Sequence, residues 1–257
     1  MFLKLSNITK RYMQNNEENL VLSSINVDIT EGEFVSILGP SGCGKSTLLS
    51  MVAGLLKPTT GEIRLQDSVI KKPGKDRGMV FQQAALFPWM TVEENVLFAI
   101  RDIKNKSERF ARAHLYLKMV QLGSNLTQYP HELSGGMQQR VAIARALAMD
   151  PTILLMDEPF GALDEQTRLR LQQELEGIWL QTNKTVLFVT HSIHESLKLS
   201  DRILVMGTRP GTIIADIKVN LPRPRLRTDE EVAALEAEIS SMLEKEIDKV
   251  VKEELKQ

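Results

Sequence analysis

A single cysteine, Cys43, occurs in 257 residues, so no intrachain disulfide can form. That excludes a disulfide-stapled scaffold and makes a reducing compartment the expected one. Long apolar runs are missing as well. Stretches such as Ile153-Leu154-Leu155-Met156 and Val186-Leu187-Phe188-Val189 fall far short of the ~18–20 residues with which a helix spans a bilayer. The N-terminus alternates apolar and polar residues and lacks the apolar core of a secretory signal. Nor is there an excess of one charge: 32 Lys and Arg face 33 Asp and Glu, a net charge of −1. Bulk electrostatics therefore gives no reason to expect nucleic acid or an anionic membrane as the main partner. No internal repeat or low-complexity tract is present. These absences lead us to expect a cytoplasmic chain that reaches a membrane only by docking to something in it.

What is present is a chain of 42% hydrophobic and 25% charged residues, long enough to bury roughly 70–75% of its unfolded surface without staples. The first ~70 residues are strand-rich, with period-two alternation around Val27-Asp28-Ile29 and a nearly continuous apolar run at Phe34–Leu38. Between about Pro88 and Pro130 the character turns helical. Thr91 and Glu94 have capping-box spacing, and further helices are expected over 107–122 and 137–149. Short strands (153–156, 185–190, 202–206) then alternate with helices (166–181, 193–199), as in a mostly parallel sheet with helices on its faces. Leu221-Pro222-Arg223-Pro224-Arg225 reads as an extended linker. After it, Thr228 and Glu231 have capping-box spacing, and Val232, Leu235, Ile239, Met242 and Val250 share one helical stripe. That stripe would dock either on the body or on a partner.

Three segments carry chemistry. Gly39-Pro40-Ser41-Gly42-Cys43-Gly44-Lys45-Ser46 satisfies G-x-x-x-x-G-K-[ST] between a buried strand and a helix. Its glycines let backbone N–H groups curl around a β-phosphate at a helix N-terminus. Lys45 would reach the β- and γ-phosphates, the Ser46 hydroxyl would ligate magnesium, and Thr47 would contact the α-phosphate. Cys43 is either a small packing residue or a redox-sensitive one. The second segment is the apolar strand ending in Asp157-Glu158. Ligands collect at the carboxyl ends of parallel strands, so Asp157 would hold magnesium, and Glu158 would accept a proton from an attacking water. The third, Leu133-Ser134-Gly135-Gly136-Met137-Gln138, opens a helix and makes a second phosphate-binding end.

Two phosphate cradles separated by a helical segment resemble the ATP-binding cassette (ABC) proteins, specifically a transporter nucleotide-binding subunit. The resemblance covers residues 1 to about 220, with a helical subdomain at about 88–136 and residues 221–257 as linker and terminal helix. It implies an α/β fold, a P-loop NTPase core with a mostly parallel sheet, an N-terminal antiparallel β region and a helical subdomain insert. It also implies ATP and Mg2+ as cofactors. Tyr12 resembles the aromatic that stacks on adenine. Gln82, directly after Phe81, resembles the glutamine that senses magnesium and the γ-phosphate. Asp164, in Ala162-Leu163-Asp164, resembles the loop that crosses a dimer interface, and His191 resembles the switch histidine at the γ-phosphate.

Family members sandwich two ATP molecules in a head-to-tail dimer, each signature segment (here Ser134, Gly135, Gly136 and Gln138) facing the partner's phosphate loop. The resemblance therefore implies a homodimer, or a pair with a related cassette, on the cytoplasmic face of the membrane. Its partners would be permease subunits and a separate solute-binding protein, with no nucleic acid. Leu86-Phe87-Pro88-Trp89, Pro210-Gly211-Thr212 and Leu221–Arg225 further resemble the importer branch for nitrate, sulfonates and taurine. Phe87 and Trp89 would be either apolar anchors for the permease or core packing. The alternative is a non-transport ABC ATPase in DNA maintenance or repair; against it, Lys45 and Ser134 stand only 89 residues apart, with no room for long coiled-coil arms.

Overall fold

The computed structural model describes residues 2–14 and 17–254. Val250, the last position of the expected helical stripe, lies outside the described side chains, and residues 255–257 lie outside the described chain. The chain divides into two compact units, Met1–Gly74 with Thr185–Gln257, and Lys75–Lys184.

The first unit opens with β1 (Leu3–Gln14), β2 (Glu17–Ile29) and β3 (Phe34–Leu38), then α1 (Lys45–Val52), β4 (Thr60–Leu65) and β5 (Ser68–Val69). The order β2-β1-β4-β5 makes an antiparallel sheet. Alternation along β1 and β2 sends Leu3, Leu5, Ile8, Ile25, Val27 and Ile29 inward, where all are buried.

The second unit holds β6 (Arg77–Val80), α2 (Val92–Ala99), α3 (Lys106–Met119), α4 (Gly135–Ala148), β7 (Ile153–Asp157) and α5 (Glu165–Thr182). Local chemistry starts each of these helices. Thr91 and Glu94 form the expected capping box on α2, and Asn105, Ser134 and Asp164 cap α3, α4 and α5. β6 and β7 pair in parallel, with Val80 opposite Met156.

The chain then returns to the first unit with β8 (Thr185–Thr190), α6 (Ile193–Leu199), β9 (Arg202–Met206), β10 (Ile213–Lys218) and α7 (Glu230–Glu254). Here the strands run β10-β9-β3-β8, parallel except for the antiparallel edge strand β10. β3 and β8 are buried at every residue, which explains their nearly continuous apolar composition. α7 docks on its own unit: Val232 and Ile239 enter a core with Leu38, Leu197, Ile203 and Val205, flanked by Leu235 and Leu243. Its start differs from the expected Thr228 cap. The helix begins at Glu230, the Asp229 carbonyl accepts the Ala233 N–H, and the Asp229 carboxylate accepts that of Leu226.

The Pro-Arg-Pro-Arg segment before α7, expected to be extended, instead bends at Arg223-Pro224, whose peptide bond is cis, and is anchored. Arg225, 4% exposed, donates to the carbonyls of Leu197, Ser200, Val219 and Leu221. Arg223 donates to Leu199 O and to Asp201. Two cations thus satisfy the open carbonyls at the C-terminus of α6, where its dipole favours positive charge.

Candidate functional site

In the first unit the phosphate-loop candidates follow β3. Gly39 is buried, while Ser41, Gly42 and Ser46 are exposed and Pro40, Gly44 and Thr47 half-buried. Gly44, at φ +99°, immediately precedes α1, a conformation that glycine adopts without steric cost. The Lys45 ammonium donates to the carbonyls of Gly39 (2.8 Å) and Pro40 (2.9 Å), so the lysine closes the loop on itself. Cys43 is 2% exposed, which supports the packing role over the redox one.

Register places His191 beside this loop. Leu38 of β3 pairs with Thr190 of β8 in parallel, so Gly39 and His191 each follow the end of neighbouring strands. The turn carrying His191 is braced from beneath. Thr190 Oγ1 donates to the buried Glu195 carboxylate at 2.5 Å and accepts the Ser192 N–H at 3.0 Å, while Ser192 Oγ caps α6. Tyr12 is 40% exposed and lies on β1 opposite Asn19, with the Lys10 ammonium 4.9 Å from its ring centroid.

The second unit repeats the logic. Val80 pairs with Met156, so Phe81-Gln82 and Asp157-Glu158 leave adjacent parallel strands in the same direction. Gly161 packs between two of these side chains: a Cβ there would stand 3.2 Å from Gln82 Nε2 and 3.7 Å from Glu158 Oε2. Glu158 has φ +43°, a left-handed conformation that costs a non-glycine residue about 1–3 kcal/mol and is common at functional sites. Asp157 and Glu158 are half-buried.

Ser134 accepts the Met137 N–H at 3.3 Å as the α4 N-cap, leaving Ser134 and Gly135 exposed. Gly136 is buried against Thr167, whose Cγ2 lies 2.5 Å from where a Cβ would stand. Gln138 Nε2 donates to the Pro130 and Leu133 carbonyls, tying down the approach to the helix. Asp164 caps α5 by accepting the Thr167 N–H at 3.0 Å, which holds its carboxyl below the usual carboxylate range. Gln82, Gly135, Gln138 and Leu163 line one cavity of about 410 Å³.

Sequence reasoning missed the residues that hold the Gln82 loop. Gln139 Nε2 donates to Phe81 O at 3.0 Å, and Arg145 donates to Ala84 O (3.0 Å) and Ala85 O (2.9 Å). Burial pulls the Arg145 guanidinium below its ordinary pKa. Asn95, fully buried, accepts the Phe87 N–H and donates to the carbonyls of Phe87, Met90 and Thr91. The only available signal was helical: Gln139 and Arg145 fall on α4, just after the signature segment. Beyond that loop, Phe87 meets Phe98 edge-to-face (centroids 4.7 Å) and Trp89 at a tilt (5.7 Å), and Trp89 is 70% exposed. Core packing is therefore not the role of Trp89. Phe87 and Phe98 also line a cavity of about 380 Å³ with Met79 and Met149.

This α/β core, with a glycine loop closing on Lys45 and a serine-capped glycine pair opening α4, has the organisation of an ABC ATPase. The sequence of the ABC transporter family matches residues 22–161, and the chain belongs to that family; it is an ATPase of the ABC type.

Among its relatives is an uncharacterized ABC transporter ATP-binding protein of Methanocaldococcus jannaschii, 50% identical over 97% of this chain and 94% of that protein. An aliphatic sulfonates import ATP-binding protein, SsuB of Bacillus cereus, is 44% identical over 95% of this chain and 97% of its own. The nitrate import ATP-binding protein NrtD of Synechocystis is 44% identical over 95% of each. The fold is similar to that of the dimeric ATP-binding cassette MJ0796 in a post-hydrolysis state bound to ADP and Pi. That likeness has a TM-score of 0.75 and 39% identity over 86% of this chain and all of that one.

Proposed function

We propose that this chain is the ATP-hydrolysing subunit of an importer for a small solute, an anion of the nitrate or sulfonate class. It works as a head-to-tail dimer bound peripherally to a membrane permease on the cytoplasmic side. The observation that carries the reading is the presence, in one chain, of one phosphate loop at Gly39–Ser46 and one signature end at Ser134–Gly136, each half of a shared site. Equal identity to sulfonate and nitrate import proteins supports the solute class. Among the described residues no helix is long and apolar enough to cross a membrane, in keeping with a docked subunit.

In this mechanism the phosphate-loop amides and Lys45 bind the β- and γ-phosphates, Thr47 the α-phosphate, and Tyr12 stacks on adenine. Ser134, Gly135, Gly136 and Gln138 of each subunit complete the partner's site, with Asp164 at the dimer boundary. The oxygen donors Ser46 and Asp157 suit magnesium. The described residues contain no cluster of three or more His, Cys, Asp or Glu that could hold a metal, and magnesium ordinarily takes one or two protein ligands alongside substrate phosphates. When bound, the ion neutralises phosphate charge. Glu158 takes the proton of the attacking water, Gln82 orients that water, and His191 donates to the γ-phosphate oxygens. Exposed Trp89, with Phe87 and Phe98, is where the permease docks; aromatic anchors of this kind dominate binding energy at interfaces.

The test is recovery of tagged Glu158→Gln protein from native membranes in mild detergent with ATP, followed by mass spectrometry. A multi-spanning permease among the partners is expected, and its companion binding protein is then screened with nitrate, taurine and alkanesulfonates. Recovery of only soluble or DNA-bound partners overturns the transport reading in favour of a maintenance or repair ATPase.

A further inference from the structure

We infer that Glu246, on the C-terminal helix α7, is a positioning residue for nucleotide binding, acting on the phosphate loop through the β9–β10 loop 207–212. The inference rests on the reading of Gly39–Ser46 as the phosphate loop.

Docking α7 needs only its apolar stripe, yet the helix also buries an acid: Glu246 is 5% exposed. Its Oε2 accepts the Thr208 N–H at 3.2 Å, and Lys249 pairs with the other carboxylate oxygen. The carboxylate lies flush on the neighbouring glycine, since a Cβ at Gly207 would stand 2.7 Å from Glu246 Oε2. α7 thereby fixes the start of the loop.

Both flanks of that loop touch the phosphate loop. At the near flank, the Met206 carbonyl oxygen is 2.9 Å from where a Gly39 Cβ would stand. At the far flank, a Cβ on Gly211 would stand 2.1 Å from the Cys43 carbonyl oxygen, so only glycine fits against that backbone. Gly211 is held at this position by donating to Val21 O and accepting from Ser23 N–H. Between the flanks the Gly207 N–H donates to Thr212 O. Glu246 thus sits at one end of a chain of backbone contacts whose other end is the Gly39–Cys43 backbone, the part of the loop that wraps the phosphates. Close-packed contacts of this kind transmit displacement rather than absorb it. Removing the carboxylate leaves the Thr208 N–H without its partner and lets the loop shift under Gly39 and Cys43.

The experiment compares full-length Glu246→Ala, Glu246→Gln and Gly207→Ala with wild type. Readouts are equilibrium binding of trinitrophenyl-ATP, steady-state KM and kcat for ATP, and the nucleotide-free melting temperature. Because only part of the worth of the lost Glu246–Thr208 hydrogen bond passes to the phosphate loop, Glu246→Ala is expected to raise Kd and KM roughly three- to tenfold, with kcat little changed. Glu246→Gln, whose amide oxygen still accepts the Thr208 N–H, restores wild-type values. Gly207→Ala, whose Cβ would meet the Glu246 carboxylate at 2.7 Å and Ile214 Cγ2 at 2.8 Å, is expected to reproduce the Ala effect and carries the test, with Ile214→Ala as its control for the second contact, should Glu246→Ala fail to fold. A lower melting temperature with unchanged Kd and KM, or a Gln variant no better than Ala, overturns the proposal and leaves Glu246 a structural tie. Lys45→Ala separates the premise: if it binds the probe as wild type does, the proposal falls together with the phosphate-loop reading.

Discussion

At the scale of single residues, Lys45 has two tasks. Its ammonium closes the loop through Gly39 O and Pro40 O, and it is the cation assigned to the phosphates. Lys45→Ala is expected to weaken ATP binding about 10–100-fold, the worth of a charge-assisted bond, and to abolish turnover, as measured by titration and phosphate release. Asp164 offers a pH test. Its native pKa is lowered, chiefly by accepting the Thr167 N–H, so its stabilising effect is complete above the ordinary value of 3.8 and fades as pH falls through the lower native value. The melting-temperature gap between wild type and Asp164→Ala is therefore expected to be constant near neutrality and to narrow in acid. A gap that widens in acid contradicts the assignment. Residues such as Lys45 and Ser134 were legible in the sequence because a phosphate loop and a helix cap are contiguous motifs. Arg145, Gln139 and Glu246 were not. Their partners lie at Ala84, Phe81 and Thr208, and nothing local marks a side chain whose partner is dozens of residues away.

Among elements, those with local start signals were the most readable. α2, α4, α5 and α6 begin where a Thr, Ser or Asp side chain accepts an early N–H, and β3, β7 and β8 announce themselves by near-continuous apolar composition. The expected helix over 107–122 is observed as α3, Lys106–Met119. β10 escaped notice because an edge strand needs only one inward face, and Ile213–Lys218 is nowhere fully buried. β6, four residues long, is too short for a period to show. The α7 start was misplaced because the Thr228/Glu231 spacing mimics a capping box, whereas the helix begins at Glu230 and the Asp229 carboxylate is taken by the Leu226 N–H.

Two predictions belong to this scale. Arg145→Ala releases the Ala84 and Ala85 carbonyls that hold the Gln82 loop. It is expected to lower kcat several-fold while leaving ATP affinity unchanged, since Arg145 touches none of the phosphate-loop residues; an equal loss in both parameters argues for global damage instead. Ile239→Ala, at a fully buried site, is expected to cost about 2–5 kcal/mol of stability in denaturant unfolding.

For the whole molecule, the proposed head-to-tail arrangement calls for a second copy of the chain. Glu158→Gln is expected to bind ATP, hydrolyse none, and run as a dimer only with ATP in size-exclusion chromatography with light scattering. A monomer under saturating ATP contradicts the head-to-tail arrangement. The fold class was visible in advance, an α/β core interrupted by helices. The division into units was not, because residues 1–74 and 185–257 share a unit and only tertiary contacts reveal that.

That shared unit has a consequence for how the protein is born. Strand β3, buried at all five positions and apolar at all but Ser36, has β8 and β9 as its neighbours in the sheet, beginning with Phe34 opposite Val186. At ordinary elongation speeds of ~5–20 residues per second, roughly 8–30 s separate synthesis of Phe34 from that of Val186. During that interval the nascent chain presents an unpaired, sticky strand while the intervening unit Lys75–Lys184 is still being synthesised. The period of greatest exposure to aggregation, and of greatest need for a chaperone at the ribosome exit, therefore ends only when β8 and β9 emerge.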